Sequence, residues 1–347
     1  MPSKTIPLTL VPLTSILLAL AAIVAGICAP ASAQTYTSFS AFPNTHTFPY
    51  EMDSSGRIVG TGTQNGAPTQ DFIRNTDGSI SVLGAPAADW IGFCGTNALA
   101  GRYQDAAAVE HGFVGPISGP FTSFNVAGST GTYAWKANSA GQIVGTWTAS
   151  GNLYHGFLRN SNGSITTFDV PKEAQTFPQA INTSGQVAGT VWDSAAVLHG
   201  FIGTVGGSYT VFNFPSGTQS ASAHLNDAGQ ITGYYADRNF TAHGYLRDTN
   251  GTFTTLNEPG QVLANAINAA GNIVGVDGGK YSGRKDGFLR TPAGTSTKIE
   301  YPGASGITSS TIPEDINQSG VIMGRYQITT SSGGDTTWHG FIVTGVH

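Results

Sequence analysis

Cysteine is almost missing from this chain: there are two, Cys28 and Cys94. Charge is scarce as well. Only 10% of residues are charged, against about 25% in an ordinary soluble domain, and acids outnumber bases twenty to fifteen. Without clustered Lys and Arg a surface cannot neutralise a phosphate backbone, which argues against nucleic acid as a partner. Long apolar runs are limited to one, Ile16 to Ala25, too short to cross a bilayer. Nothing later approaches that character, so no membrane span is expected. There is no amphipathic helix of three turns. Gly-x-Ser-x-Gly, His-Glu-x-x-His, Cys-x-x-Cys, a phosphate loop and an EF-hand loop are all absent. The sequence therefore signals no metal or cofactor.

The short apolar run has the form of a secretory leader. Lys4 precedes it, and Ala31-Ser32-Ala33 makes a small-residue cleavage site, with cleavage expected before Gln34. Cys28 is a poor lipid anchor because bulky Ile27 precedes it. The expected mature chain is residues 34–347, soluble, monomeric and exported to the periplasm or beyond. Losing Lys4, the leader's only charged residue, takes the net charge from −5 to −6. Cys94 is then the sole cysteine, so no intrachain disulfide can form. It reads as a buried small apolar residue, with an intermolecular bridge or reactive thiol as the alternative.

What the chain has in abundance is repetition. The phrase Ile181-Asn182-Thr183-Ser184-Gly185-Gln186-Val187-Ala188-Gly189 returns seven times, closing on Gly60, Gly101, Gly145, Gly189, Gly233, Gly275 and Gly324. The intervals are 41, 44, 44, 44, 42 and 49 residues. About ten residues after each closing glycine comes a phrase such as His199-Gly200-Phe201-Ile202. In the third repeat Asn138 and Gly141 occupy the first and fourth places of a type I turn. Gln142–Trp147 and His155–Arg159 read as strands. Asn162-Gly163 is a hairpin signal, and Ser164–Val170 alternates as a further strand that Pro171 stops. With the segment before the Asn turn, each repeat supplies four strands.

Four short antiparallel strands per repeat of about 40 residues are the mark of a β-propeller blade. The fold class is all-β, with seven blades in a single domain. The last repeat ends at Trp338–Val343 without a fourth strand, while an orphan strand, Tyr36–Phe39, opens the mature chain. Pairing the two closes the ring and hides an edge. The phrases also resemble the HAF-repeat family of bacterial extracellular proteins, whose repeats join an Asn-x-x-Gly-x-[Ile/Val]-x-Gly phrase to His-Ala-Phe. Here the tripeptide is His-Gly-Phe (His111, His155, His199, His339) or His-Gly-Tyr (His243), which marks a divergent branch. The resemblance implies an exported propeller and little about its chemistry.

Residues required by every repeat serve the fold. The repeated Asn (Asn138, Asn182, Asn226, Asn268, Asn317, with Asp53 in blade 1) is a turn residue. The repeated His, replaced by Asp71 and Asp286 in blades 1 and 6, is spread around the ring too widely to share one ion and reads as an anchor to a neighbouring loop. Informative positions are those where blades differ. Two residues before the Asn stand Glu51, Gly95, Lys136, Ala180, His224, Ala266 and Asp315. The residues one before it (Met52, Ile181, Leu225, Ile267, Ile316) are apolar, so alternation turns the first set to the central channel. Glu51 and Asp315 become neighbours on ring closure and could share a proton, bind a cation or act as acid and base. A solvated channel wall is the plainer alternative. Two residues after the closing glycine stand Tyr103, Trp147, Tyr235 and Tyr326, with Trp192 one step later, as candidate binding aromatics or interblade filling.

The sequence thus favours an exported, non-catalytic propeller that binds carbohydrate, another extracellular polymer or a protein. One rival is a lyase or hydrolase using Glu51, His224 and Asp315 at the channel mouth. The other is a purely structural envelope component.

Overall fold

In a computed structural model the described residues are 34–346 apart from 44, 64–68, 87, 152, 257–261, 279–284, 305–308 and 328–336. The expected leader and its cleavage site lie outside them, as does most of the variable loops Asp277–Asp286 and Gln327–Thr337. The described residues hold twenty-eight strands in seven four-stranded antiparallel sheets, and the sheets stand as blades around an axis. The innermost strands are β2 (His46–Met52), β6 (Trp90–Phe93), β10 (Gly131–Ala137), β14 (Gln175–Ile181), β18 (Gln219–Leu225), β22 (Val262–Ile267) and β26 (Ser310–Ile316), each against the next. Blade 7 consists of β26, β27 (Ile322–Gln327), β28 (His339–Thr344) and the first strand, β1 (Thr35–Phe39). The N-terminal strand pairs with the last one from Thr35↔Thr344 to Phe39↔Gly340, as the missing fourth strand required.

Seven apolar clusters fill the seven junctions between blades. Each combines second- and third-strand residues of adjoining blades, such as Val144, Leu158, Val187 and Phe201 between blades 3 and 4. The Phe of each His-Gly-Phe phrase is fully buried there. In blade 5 it becomes Tyr245, whose hydroxyl donates to the Ala221 carbonyl at 3.1 Å. The glycine in that tripeptide is a packing requirement. A Cβ at Gly112, Gly156, Gly200 or Gly340 would overlap the ring of Phe124, Phe168, Phe212 or Phe39. Phe39 of the orphan strand thus repeats the role of the fourth-strand Phe in other blades.

The turn reading of the Asn phrase holds in detail. Gly141 N–H donates to the Asn138 carbonyl at 3.0 Å, with Gly141 at φ +79°, as a type I turn followed by a left-handed residue requires. The Asn also does more than the sequence suggested. Its Oδ1 accepts from the backbone four residues on, and its Nδ2 donates to the backbone carbonyl of the equivalent Asn in the next blade. Asn138 reaches the Asn182 carbonyl (2.9 Å), Asn182 that of Asn226 (3.3 Å), Asn226 that of Asn268 (2.9 Å) and Asn268 that of Asn317 (3.0 Å). Blade 2 has Cys94 at this place, buried and free as expected. There Gly95 N–H donates to the Asn138 carbonyl instead, at 3.0 Å. Blade 1 has Asp53, which holds Arg57 at 2.7 Å, and Arg57 in turn donates to the Thr96 carbonyl at 3.0 Å.

Candidate functional site

At the end of the channel where the Asn turns gather lies a cavity of about 560 Å³ whose wall includes Glu51, Lys136 and Asp315. Lys136 Nζ meets Glu51 Oε2 at 2.9 Å. Asp315 Oδ2 accepts the Met52 amide at 2.9 Å, and its Oδ1 accepts the Ile316 amide at 2.8 Å. Blade 3 is thereby tied across the axis to blade 1, and blade 7 to blade 1. Burial raises the carboxyl pKa of Glu51, with Lys136 opposing and Asp315 reinforcing the rise. Burial also raises that of Asp315 against the pull of Lys136 and the two amides. For Lys136 desolvation acts downward, but the two acids outweigh it and its pKa is raised. Water still reaches this lysine through the channel: 37% of its side chain is exposed, against 12% for Glu51.

His224 holds the equivalent register on β18 but is not among the residues lining that cavity. Burial, and then the charge of Lys136, push its pKa down to about 4, so it is neutral at pH 7. The blade 2 member needs correction. Gly92, not Gly95, pairs with Ala100 as Glu51 pairs with Val59 and Lys136 with Val144. Gly95 sits in the turn at φ +71°. Cys94 holds the Asn place of blade 2, its N–H donating to the Ala98 carbonyl as that of Asn138 does to the Gln142 carbonyl, so Asn97 is not the equivalent of the other turn Asn residues. Gly92 matters to the cluster, since a Cβ there would run into the Glu51 carboxylate.

Sequence alternation missed a second ring of residues. Six of the seven innermost strands carry a β-bulge at one place, between positions such as Ala134 and Lys136 or Pro178 and Ala180. The extra residue breaks the period of two. It is Tyr50, Trp135, Gln179, Ala223, Asn265 or Glu314 in turn. Most of these bond to the residue just after the closing glycine: Tyr50 to Thr61 at 2.9 Å, Trp135 to Thr146 at 2.6 Å, Gln179 to Thr190 at 3.0 Å, and Glu314 to Arg325 at 3.1 Å. Burial raises the Glu314 pKa to about 7. The signal was available, because these two aligned positions also differ from blade to blade.

On the blade 3 to blade 5 side these residues open a groove of about 300 Å³. Trp135, Phe177, Trp192 and Tyr234 supply its rings, with Gln179 and Thr190 as polar groups. Trp192 and Leu198 flank the loop between β15 (Gln186–Trp192) and β16 (Leu198–Thr204), so the groove lies at the opposite end of the channel from the Asn turns.

Of the five candidate aromatics, only Trp192 lines this groove, 37% exposed. Tyr103, Trp147, Tyr235 and Tyr326 lie against the repeated histidines, with centroids 5.2, 4.8, 5.1 and 5.3 Å from those of His111, His155, His243 and His339. Tyr235 and Tyr326 are buried. The histidines are held by local partners: His111 by Asp105 and Asn125, His199 by Asp193 and Asn213, and His155 by Asp169. Asp71, in the His place of blade 1, accepts the Ala88 amide at 3.2 Å, and burial raises its pKa to about 7. Asp286, in blade 6, faces Lys298 Nζ at 3.6 Å. No helix among the described residues is long and apolar enough to cross a membrane.

No family model and no curated protein matches the chain. Solved structures do. TolB from Acinetobacter baumannii is similar over 72% of this chain at 16% identity and a TM-score of 0.50. A structure from a study of two prolyl endopeptidases is similar over 86% at 11% identity, with a TM-score of 0.58. An uncharacterized protein from Listeria monocytogenes EGD-e is similar over 77% at 8% identity and 0.51, and 86% of that chain is covered. The match takes in 65% of the TolB chain and 50% of the endopeptidase chain. At these identities the likeness concerns the β-propeller fold.

Proposed function

We propose that the protein is an exported, non-catalytic binding module that acts as a monomer. Its ligand is a carbohydrate or similar extracellular polymer seated in the groove beside Trp192. One observation carries this reading: four aromatic residues converge on a concave site whose polar side chains include Gln179 and Thr190, bonded to each other at 3.0 Å, a composition suited to ligands with an apolar face and a hydroxyl rim. The leader-like residues 1–33 and the resemblance to the HAF-repeat family support export. The decisive measurement is titration of tryptophan fluorescence with soluble neutral polysaccharides. Trp192→Ala should weaken binding by roughly tenfold or more, whereas Trp147→Ala, whose ring lies on His155, should not. Equal losses in both variants, or no binding at all, would overturn the reading.

The enzyme reading has one observation in its favour: Glu51 and Asp315 do line a common cavity. Against it, Lys136 already engages Glu51, and Asp315 is held by two backbone amides. A hydrolase or lyase acting there would turn over substrate and lose that turnover in Glu51→Gln and Asp315→Asn.

A further inference from the structure

The Trp192 groove is one end of a longer run of rings. Phe177 lies 6.1 Å from Trp192 between centroids, and both belong to blade 4. Phe177 is also 5.1 Å from Tyr154, the first residue of β12 (Tyr154–Arg159) on blade 3. Tyr154 is in turn 6.2 Å from Tyr133 on β10. Four rings, none of them fully buried, therefore cross the boundary between two blades. Tyr154 and Trp192 lie at the loop end of their strands, on the face away from the Asn turns.

Among the core pairs some lie flat on one another and others, such as Tyr103 with Phe113 at 52° and Phe212 with Phe253 at 56°, are tilted. Phe214 on Tyr235 and Tyr301 on Tyr326 lie face to face at 3.8 and 3.6 Å, with interplanar angles of 2° and 7°. Along the run the angles are 53°, 36° and 47°. Each ring is turned from the last, so no flat platform results. The groove's own lining is neutral. None of the residues lining it carries a charge, and its polar side chains include Gln179 and Thr190. Just behind that lining the Arg102 guanidinium lies 3.9 Å from the centroid of Trp135, with the acids Glu110 and Asp89 near it, so charges of both signs balance at this edge and neither a polyanion nor a basic peptide meets a field of one sign. The occupant that matches is a neutral chain of pyranose-like units, each stacking an apolar face on one ring.

Resting on the binding-module reading, we propose that Tyr133, Tyr154, Phe177 and Trp192 form successive subsites for a single, twisted strand of soluble neutral polysaccharide. Coplanar rings would suit the flat face of a crystalline polymer; these do not. Affinity should therefore grow with chain length, because a longer strand covers more rings.

The experiment is calorimetric titration of the full protein with linear neutral glucan and xylan oligosaccharides, from disaccharide to hexasaccharide. Retention on microcrystalline cellulose and titration with a polyproline peptide complete the set. At least one sugar series should bind with affinity rising along its length. Tyr154→Ala and Tyr133→Ala should each cost roughly three- to tenfold on the longest member and leave the shortest unchanged. Tyr154→Phe, which keeps the ring, should behave as the parent. Trp192→Ala should weaken every length, and melting temperatures of all variants confirm folding. If short and long sugars bind equally, or the tyrosine variants keep the full length dependence, the subsites fall while the binding module stands. Tighter retention on microcrystalline cellulose would likewise overturn the twisted strand. If no sugar of any length binds, or only the polyproline peptide does, the carbohydrate-binding reading falls and the subsites with it.

Discussion

At the scale of single residues, the blades are alike where the fold makes demands and unlike where it leaves latitude. Asp71 stands where five other blades have His, and it is 2% exposed. Its folded pKa, about 7, lies above the ordinary 3.8. A carboxyl raised on folding contributes stability that is complete below the unfolded pKa and is lost as pH rises through the folded one. Asp71→Asn retains an acceptor for the Ala88 amide and does not titrate. It should therefore raise the melting temperature at pH 8 and do little at pH 4, a contrast that differential scanning calorimetry resolves. Equal effects at both pH values would show that Asp71 does not titrate in this window. Lys136 tests the opposite case. Lys136→Met leaves two carboxyls without their cation. The cost should be on the order of 1–3 kcal/mol at pH 8, below the range for a fully buried pair because channel water reaches the lysine. It should shrink towards pH 4, where both acids take up protons.

At the scale of strands and turns, the repeat phrase allowed most of the architecture to be read in advance. Turn, second strand, third strand and hairpin each carry a local chemical signature, as Asn182-Gly185 and Asn162-Gly163 illustrate. The bulge carries none. Gln179 looks like any strand residue, and its displacement appears only when β14 is paired with β15. Strict alternation therefore named Glu51, Lys136 and Asp315 but passed over Trp135, Gln179 and Glu314. The aromatic positions after the closing glycine were legible as aromatic but not by direction, because the face they point to is already occupied by the His of the third strand. The tripeptide glycine offers a direct test. Gly200→Ala places a methyl in the ring of Phe212. Overpacking of this kind costs about 1–3 kcal/mol, and the same change paired with Phe212→Leu should recover part of it. Urea denaturation of both variants would show whether the losses are coupled.

At the scale of the whole molecule, the ring is held shut at one seam. β1 supplies the fourth strand of blade 7, and Phe39 and Ala41 pack with Met52, Ile58 and Phe72 of blade 1. Deleting residues 34–42 would expose the edge of β28 and open that junction. The melting temperature should fall by at least about 10 °C, given roughly 2–4 °C per kcal/mol for chains of 150–250 residues, and the truncated protein should self-associate. An unchanged melting curve would mean that the ring closes without this strand. The same seam imposes an order in time. The first strand of the ring to leave the ribosome bonds to the last, so no partial product can be a closed ring. Six blades stand with an open edge until β28 is made. A version with its two ends joined and a new break cut in a turn between blades would build every sheet from consecutive strands, although its ring too would close only with the last blade.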